Sequence, residues 1–573
     1  NFTSLIDTRS WEEFMPRGVT KQLFNSFKKY YDPDIFRAAG KRIRAMAKAA
    51  DDEDIEERIA LIASIFNSFR NPDKETVLTP WRVVNMHLSE SLGGYTFWNE
   101  DFSEIISEPR WVDQGEVTAE VFTPDSQILE INSKSGLYPL YMAYSIYRVR
   151  RNAVNEPGSD QKFSHDEQYS LWEKVLVDNI FVICKTPMAK SITKRTLLGF
   201  RDTKINAHCF EDLINTLKDK PRQFIERVTR RSFWKKGDGP MKFDAVVGNP
   251  PYQQMDGGGT GSSAVPIYNL FVDNSKSITS KYLSMIIPAR WFSGGKGLDS
   301  FRESMLNDQH LSKLVDFADS RDCFSGVDIA GGICYFLWDK NYSDKCTVVN
   351  KYEKHAITSI RDLRTYQTFV RDTMALKIIE KVQAITENML SECVYSRNPF
   401  GLSNISGTSN SFDGAVKVFG SKGIFYIPPQ NIVVNSDLLT SYKVIMSKTS
   451  AEHAGQADKN GRKKVISRVL VLPPRMVCTE SYLLLKPFEN ENDASNMVAY
   501  LKTQFVRFLL STILLTQNIA KDKFAFVPMQ TFSSNSDIDW SKSIAEIDQQ
   551  LYAKYGLSAA EINFIETTIK PMR

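Results

Sequence analysis

The spacing of apolar residues changes about 75 residues into the chain. Before that point Val19–Tyr31, Asp34–Ala49 and Glu53–Arg70 carry apolar side chains three and four positions apart, with an acidic connection at Asp51-Asp52-Glu53-Asp54. That period predicts amphipathic helices. From Val77 onward, short apolar runs alternate with helical stretches: Gln127–Asn132, Asn179–Cys184, Phe243–Gly248, Tyr282–Ile287, Leu311–Phe317 and Gly332–Trp338. Such alternation predicts an α/β domain built on a mostly parallel sheet. Residues 365–390 read as one long helix, clearest over Met374–Val382, and a mixed α+β domain begins near Arg397. The expected layout is a helical connector over 1–75, an α/β domain over 76–345, a helical linker over 346–394 and a further domain over 395–573. At the end, Gly556 followed by Ser558-Ala559-Ala560-Glu561 predicts a helix stop and a new capped helix.

One apolar run ends unusually. Phe243–Gly248 gives way to Asn249-Pro250-Pro251-Tyr252. Two successive prolines fix φ and remove two backbone donors, so the strand ends in a stiff turn whose acceptors stand free of the ladder. The Asn249 side-chain oxygen and the Pro250 carbonyl can accept both hydrogens of a planar exocyclic amine, and the Tyr252 ring can stack on the ring that bears it. Gly257-Gly258-Gly259-Thr260-Gly261-Ser262-Ser263 follows, without the lysine and spacing of a phosphate loop. It reads either as a mobile loop without ligand contact or as a lid that orders on binding.

With this turn, the chain resembles the DNA N6-adenine methyltransferases of restriction-modification systems. The likeness is to their gamma type, in the type IIG and type ISP arrangement with an N-terminal helical region and a C-terminal target recognition domain. Tyr268–Val272, Leu283–Phe292 and Phe324–Ile333 follow in the family's order and spacing, and the likeness covers roughly 75–573. The resemblance implies a Rossmann-like methyltransferase domain, with Asn249, Pro250, Pro251 and Tyr252 catalytic and S-adenosylmethionine as cofactor. Thr79-Pro80 matches the segment that closes over the methionine part. Glu130, Asn132 and Gly136 fall at the family's glycine-rich turn after the first strand, and Asp212 is a candidate for the adenine amine, the alternative being an acidic helix start. Two departures stand out. Glu130-Ile131 and Lys134 replace an Asp-Pro start and the first glycine, and Cys184 stands where a carboxylate for the ribose hydroxyls is expected.

Composition bounds the partners. A chain of 573 residues with 42% hydrophobic and 24% charged residues suggests two or three ordinary globular domains. A net charge of +4 neither requires nor excludes nucleic acid, so local charge decides. Residues 440–479 hold eight Lys and Arg against Glu452 and Asp458. Within this segment Lys443, Lys448, Arg462, Lys463, Lys464 and Arg468 are expected to meet DNA phosphates, the alternative being a solvated basic loop. Seven scattered cysteines argue for reduced thiols and against a zinc site, and no metal is expected. No apolar run of membrane length and no signal peptide is present, which predicts a cytoplasmic protein without membrane contact. The chain begins at Asn1 rather than Met, so further functional segments are expected upstream.

Taken together, these features point to a methyltransferase acting on extruded adenine in double-stranded DNA, within a restriction-modification or phage-defence system. Its expected partner is a nuclease or helicase subunit, or a missing N-terminal domain of the same polypeptide. Two rival readings stay open: a DNA-recognition module with a degenerate cofactor site serving a nuclease or helicase assembly, and methylation of RNA or a protein glutamine amide.

Overall fold

The structure is a computed structural model that describes residues 2–16, 18–69, 78–154, 163–255, 264–324, 327–329, 331–352, 355–395, 397–404, 407–451, 457–458, 461–514 and 517–572. It forms two compact units, Asn1–Thr365 and Tyr366–Arg573.

In the first unit a hairpin, β1 (Gly94–Trp98) and β2 (Ile105–Val112), precedes β3 (Ile128–Ile131), β4 (Ile180–Cys184), β5 (Asn206–Cys209) and β6 (Phe243–Gly248). A second hairpin, β7 (Gln253–Met255) and β8 (Ala264–Pro266), leads to β9 (Thr279–Pro288), β10 (Leu311–Phe317), β11 (Ile333–Asp339), β12 (Cys346–Lys351) and β13 (Ala356–Arg361). Nine of these strands make one sheet in the order β13-β12-β10-β11-β9-β6-β3-β4-β5. The pairs β3–β4, β3–β6, β4–β5, β6–β9 and β10–β12 are parallel, while β11 runs antiparallel between β9 and β10. The fold is therefore α/β with a mostly parallel central sheet. Strands β3 and β4 are buried at every position, as strands covered on both faces are, and β3 includes the acidic Glu130.

The chain winds from β3 outward through β4 to β5, then returns to place β6 on the other side of β3. This reversal opens a crevice beyond the carboxyl ends of β3 and β6, the place where open α/β sheets bind ligands. Gly248 lets the two strands approach there, since a Cβ at that position would lie 2.9 Å from the Ile131 carbonyl oxygen. Beside the crevice, the helix Trp81–Ser91 is anchored by Trp81, which is buried against Phe97 and Tyr141 at ring distances of 5.5 and 6.3 Å. Burial of an aromatic of this size stabilises by roughly 4–6 kcal/mol from area alone. The Thr79-Pro80 segment preceding it is thereby pinned.

Several expected boundaries shift. Residues 346–361, assigned to a helical linker, form β12 and β13, because Cys346–Lys351 alternates buried and half-buried positions with a strand's period of two. The long helix is confined to Thr373–Ile385, capped by Asp372, which accepts from the Met374 and Ala375 amides. The N-terminal helices form over Lys21–Phe27, Pro33–Ala49 and Ile55–Asn67, within the first unit rather than as a separate connector. The expected glycine-rich loop at 257–263 lies outside the described residues.

The second unit holds two three-stranded sheets, β15-β14-β18 and β17-β16-β19, formed by Val416–Gly420 (β14), Gly423–Ile427 (β15), Tyr442–Ser447 (β16), Val469–Leu472 (β17), Met476–Cys478 (β18) and Tyr482–Phe488 (β19). Helices Glu491–Lys502 and Gln504–Ser511 follow. The final helix, Ala559–Thr568, carries the expected box in which Ser558 and Glu561 cap each other's backbone. Among the described residues, no helix is long and apolar enough to cross a membrane.

Candidate functional site

The Asn-Pro-Pro-Tyr turn leaves β6 in the crevice. Asn249 Nδ2 donates to Thr79 Oγ1 at 2.9 Å, and the Asn249 carbonyl accepts from Asn132 Nδ2 at 3.3 Å. Three segments distant in sequence thus converge: the Thr-Pro entry to the helix at 81, the turn after β3, and the turn after β6. With Nδ2 committed to Thr79, Asn249 Oδ1 is buried and has no hydrogen-bond partner. The same holds for Asn132 Oδ1 and Glu130 Oε2. An unmade hydrogen bond at a buried polar group costs on the order of 1–3 kcal/mol, so a cluster of orphaned acceptors marks a place built to receive donors.

Glu130 is 4% exposed, and burial pushes its carboxyl up to about 8. Asn132 takes φ +71°, a left-handed conformation that a non-glycine residue adopts at a cost and that here aims its side chain back at Asn249. Gly136 has φ +79°, but the space it leaves is filled by protein: a Cβ would stand 3.0 Å from Thr193 Cα. Its glycine lets the helix Leu137–Val154 pack on the helix Pro187–Leu198. Tyr252 is half-buried, and its hydroxyl lies inside the protein without a partner. The residue packs against the apolar core of the first unit.

A cavity of about 500 Å³ adjoins this turn, within the range of small-molecule sites. Asn132, Lys134, Lys185, Pro251 and Gln253 line it from the sheet, and Trp11, Glu13, Met15 and Pro16 from the N-terminal segment. The sequence alone places that segment in a connector. Instead, the helix Thr8–Phe14 lies across the carboxyl edge of β4: Ser10 Oγ accepts from the Met188 amide at 3.2 Å, and Glu13 accepts from the Thr186 hydroxyl. Sequence reasoning gives no role to Trp11 or Glu13, because nothing in the local pattern reveals a docking partner more than 170 positions away.

Asp212 is not brought to this group. It sits exposed at the start of the helix Leu213–Asp219, and its carboxylate accepts from Asn215 Nδ2 at 2.8 Å. Cys184 is fully buried, its sulfur 4.0 Å from Thr193 Oγ1. Among the described residues, no three His, Cys, Asp or Glu side chains gather as a metal site.

In the second unit the six basic candidates divide. Arg462, Lys464 and Arg468 are exposed, and Lys463 is half-buried. Lys443 is not a surface residue: it is fully buried in β16, where Nζ donates to the Leu438 and Ser441 carbonyls at 2.9 and 2.7 Å, and burial lowers its ammonium to about 8. Lys448 is half-buried, with its Nζ enclosed and its ammonium lowered by burial. Lys459, Glu452, Gln456 and Asn460 of the same segment lie outside the described residues.

Residues 178–324 match the model of the family described as Eco57I restriction-modification methylase. Over this segment the chain is similar to that family. An uncharacterized adenine-specific methylase of Mycoplasma pneumoniae (strain ATCC 29342 / M129 / Subtype 1) is 36% identical over 141 residues, 24% of this chain and 33% of that protein. The chain therefore spans a third of the length of the curated relative it matches. Among solved structures, the type IIL restriction-modification enzyme MmeI in complex with DNA matches at 10% identity and a TM-score of 0.46, over 89% of this chain and 81% of that one. A nuclease-deletion mutant of the type ISP enzyme LlaGI, with a DNA substrate mimic, matches at 11% identity and a TM-score of 0.44, over 95% and 60%.

Proposed function

We propose that this chain is a DNA methyltransferase of a restriction-modification system, transferring a methyl group from S-adenosylmethionine to N6 of an adenine extruded from double-stranded DNA. The observation that carries the reading is Asn249, whose amide nitrogen is held by Thr79 while its oxygen, at the start of a rigid Pro-Pro turn, is buried and unpartnered. An exocyclic amine is a donor that satisfies such an oxygen, and the half-buried Tyr252 ring offers a stacking face for the base.

The cofactor fits the remaining orphans. Glu130 Oε2 and Asn132 Oδ1 are acceptors suited to an ammonium group, and the adjoining cavity has room for a nucleoside. When bound, S-adenosylmethionine supplies an electrophilic methyl group. The chain's residues then position the reaction. Acceptors on Asn249 and Pro250 would draw the amine hydrogens away from the ring plane, freeing the nitrogen lone pair for the methyl group that the cofactor would supply, with the displaced proton leaving to water. Orientation supplies most of the rate, because no side-chain nucleophile is needed. Arg462, Lys464 and Arg468 fit phosphate contacts, with a nuclease or helicase partner supplying cleavage, and the cytoplasm is the fitting compartment.

Labelled methyl transfer to duplex DNA, followed by single-molecule sequencing for the modified base, tests the reading. N6-methyladenine that disappears in Asn249→Ala supports it; methylation of RNA or protein instead sinks it. The rival reading, a recognition module with a degenerate cofactor site, is favoured by Lys134 and the buried Cys184 at family cofactor positions. Calorimetric S-adenosylmethionine affinity separates the two.

A further inference from the structure

The strand β4 ends without the acid that a nucleoside-binding α/β sheet places there to hold ribose hydroxyls, and a carboxylate arrives from elsewhere. Glu13, on the helix Thr8–Phe14, is 5% exposed and lies at the carboxyl edge of β4. One of its oxygens, Oε2, accepts from the Thr186 hydroxyl, two residues beyond Cys184, while Oε1 is buried with no partner. The helix that carries it is fixed at several points. Asp7 caps it by accepting from the Ser10 amide at 2.9 Å, Ser10 Oγ accepts from Met188, and Trp11 Nε1 donates to the Val19 carbonyl at 2.7 Å. Glu13, Trp11 and Asn132 line one cavity, so Glu13 and the proposed methionine end of the site border a single space.

We propose that Glu13 is the ribose-binding residue of the cofactor site, its carboxylate accepting from the 2′- and 3′-hydroxyls in place of the acid missing at Cys184. The inference rests on the methyltransferase reading above. A neutral thiol is a weak donor and a weak acceptor, so Cys184 is a poor partner for a diol, whereas a carboxylate has acceptor capacity for both hydroxyls. The arrangement also makes the N-terminal helix part of the cofactor site rather than a spacer. Because that helix lies more than a hundred residues before β3, its contribution is invisible to any pattern confined to the strand-turn-helix unit.

The test is calorimetric, on the whole chain, with S-adenosylhomocysteine and its 2′,3′-dideoxy counterpart as probes. The wild type should prefer the hydroxylated ligand, and Glu13→Gln should weaken that ligand about tenfold to a hundredfold while leaving the dideoxy affinity unchanged. Preference for the hydroxylated ligand that persists in Glu13→Gln overturns the assignment, because the ribose is then held by other groups. Equal weakening of both ligands overturns it too, since Glu13 would then only support the fold. Should Glu13→Gln fail to melt cooperatively, Glu13→Asp, with the same charge on a shorter arm, takes its place: a reduced ribose preference supports the assignment and an unchanged one defeats it. If the wild type binds neither ligand, the methyltransferase reading itself has failed; if it binds both equally, only the role of Glu13 has.

Discussion

Asn249 and Thr79, 170 positions apart, share a 2.9 Å hydrogen bond in which the asparagine donates and the threonine accepts. With the amide nitrogen engaged there, Asn249 Oδ1 is buried without a hydrogen-bond partner. Removing the asparagine, as in Asn249→Ala, should reduce methyl transfer by about a hundredfold or more, the usual loss for a preorganised polar group in a reacting site. DNA binding and folding should stay near wild type. Thr79→Val keeps shape and burial but removes the acceptor, so its expected loss is smaller, about tenfold in kcat with little change in KM, as befits an orienting bond. Steady-state kinetics on a duplex substrate distinguish the two, and a Thr79→Val variant with unchanged kcat would show that the amide is oriented without it.

The Tyr252 hydroxyl is buried and makes no well-formed hydrogen bond, its interaction with the Asn249 side chain being a weak one, so Phe gives up little there. Tyr252→Phe should be active within about twofold and no less stable, because deleting an unsatisfied buried hydroxyl is close to neutral. Tyr252→Ala removes the stacking face, which is worth roughly 1–3 kcal/mol for a base on an aromatic ring. Binding to duplexes carrying a mismatched target adenine, measured by fluorescence of a base analogue, reads that loss. A severe Tyr252→Phe defect would assign the work to the hydroxyl.

Asn249–Tyr252 is legible in the sequence because two prolines force a strand to end and Asn and Tyr carry their chemistry locally. The parallel sheet is legible for a similar reason: doubly buried strands read as unbroken apolar runs. Strands β12 and β13 escape such a reading, since Cys346–Lys351 alternates over only six residues amid charged neighbours. Lys443 misleads when charge is counted without period. Tyr442–Met446 is an apolar run interrupted by one lysine, and its ammonium is satisfied by two carbonyls close by in the chain. Glu13 is not legible at all, because its meaning comes from Thr186, 173 positions on.

Glu130 ties the site to pH. Its carboxyl rises from 4.5 to about 8 through burial, so the folded, ligand-free protein keeps a proton that the unfolded chain has already lost. Its contribution to stability is therefore fully present below pH 4.5, declines as pH rises toward 8 and is flat beyond. Glu130→Gln should abolish that decline in thermal melts taken between about pH 5 and 8. An ammonium group seated at Glu130 favours the carboxylate, so affinity for S-adenosylhomocysteine, whose amino-acid end carries one, should climb with pH by up to about tenfold per unit in that window. Calorimetry in buffers of different ionisation enthalpy should show proton release that Glu130→Gln lacks. Release of equal size in the variant would place the titrating group elsewhere.

Exposure in the second unit separates charges that phosphates can reach from those the fold consumes. Arg462, Lys464 and Arg468 are exposed, so their joint replacement by Ala should weaken binding to every duplex and flatten the dependence of log affinity on log salt by up to about three, at about 0.9 for each phosphate no longer neutralised. Lys443 behaves differently. Its ammonium donates to the Leu438 and Ser441 carbonyls just before β16, so Lys443→Met removes both bonds, leaving Leu438 only the Ser441 amide, and should lower stability by roughly 1–3 kcal/mol while leaving the salt slope unchanged in whatever fraction stays folded. Filter binding across a salt series, with chemical denaturation of each variant, measures both effects. An unchanged slope in the triple variant would remove these three residues from the DNA surface, and a flattened slope in Lys443→Met would mean that its charge reaches phosphate despite its burial.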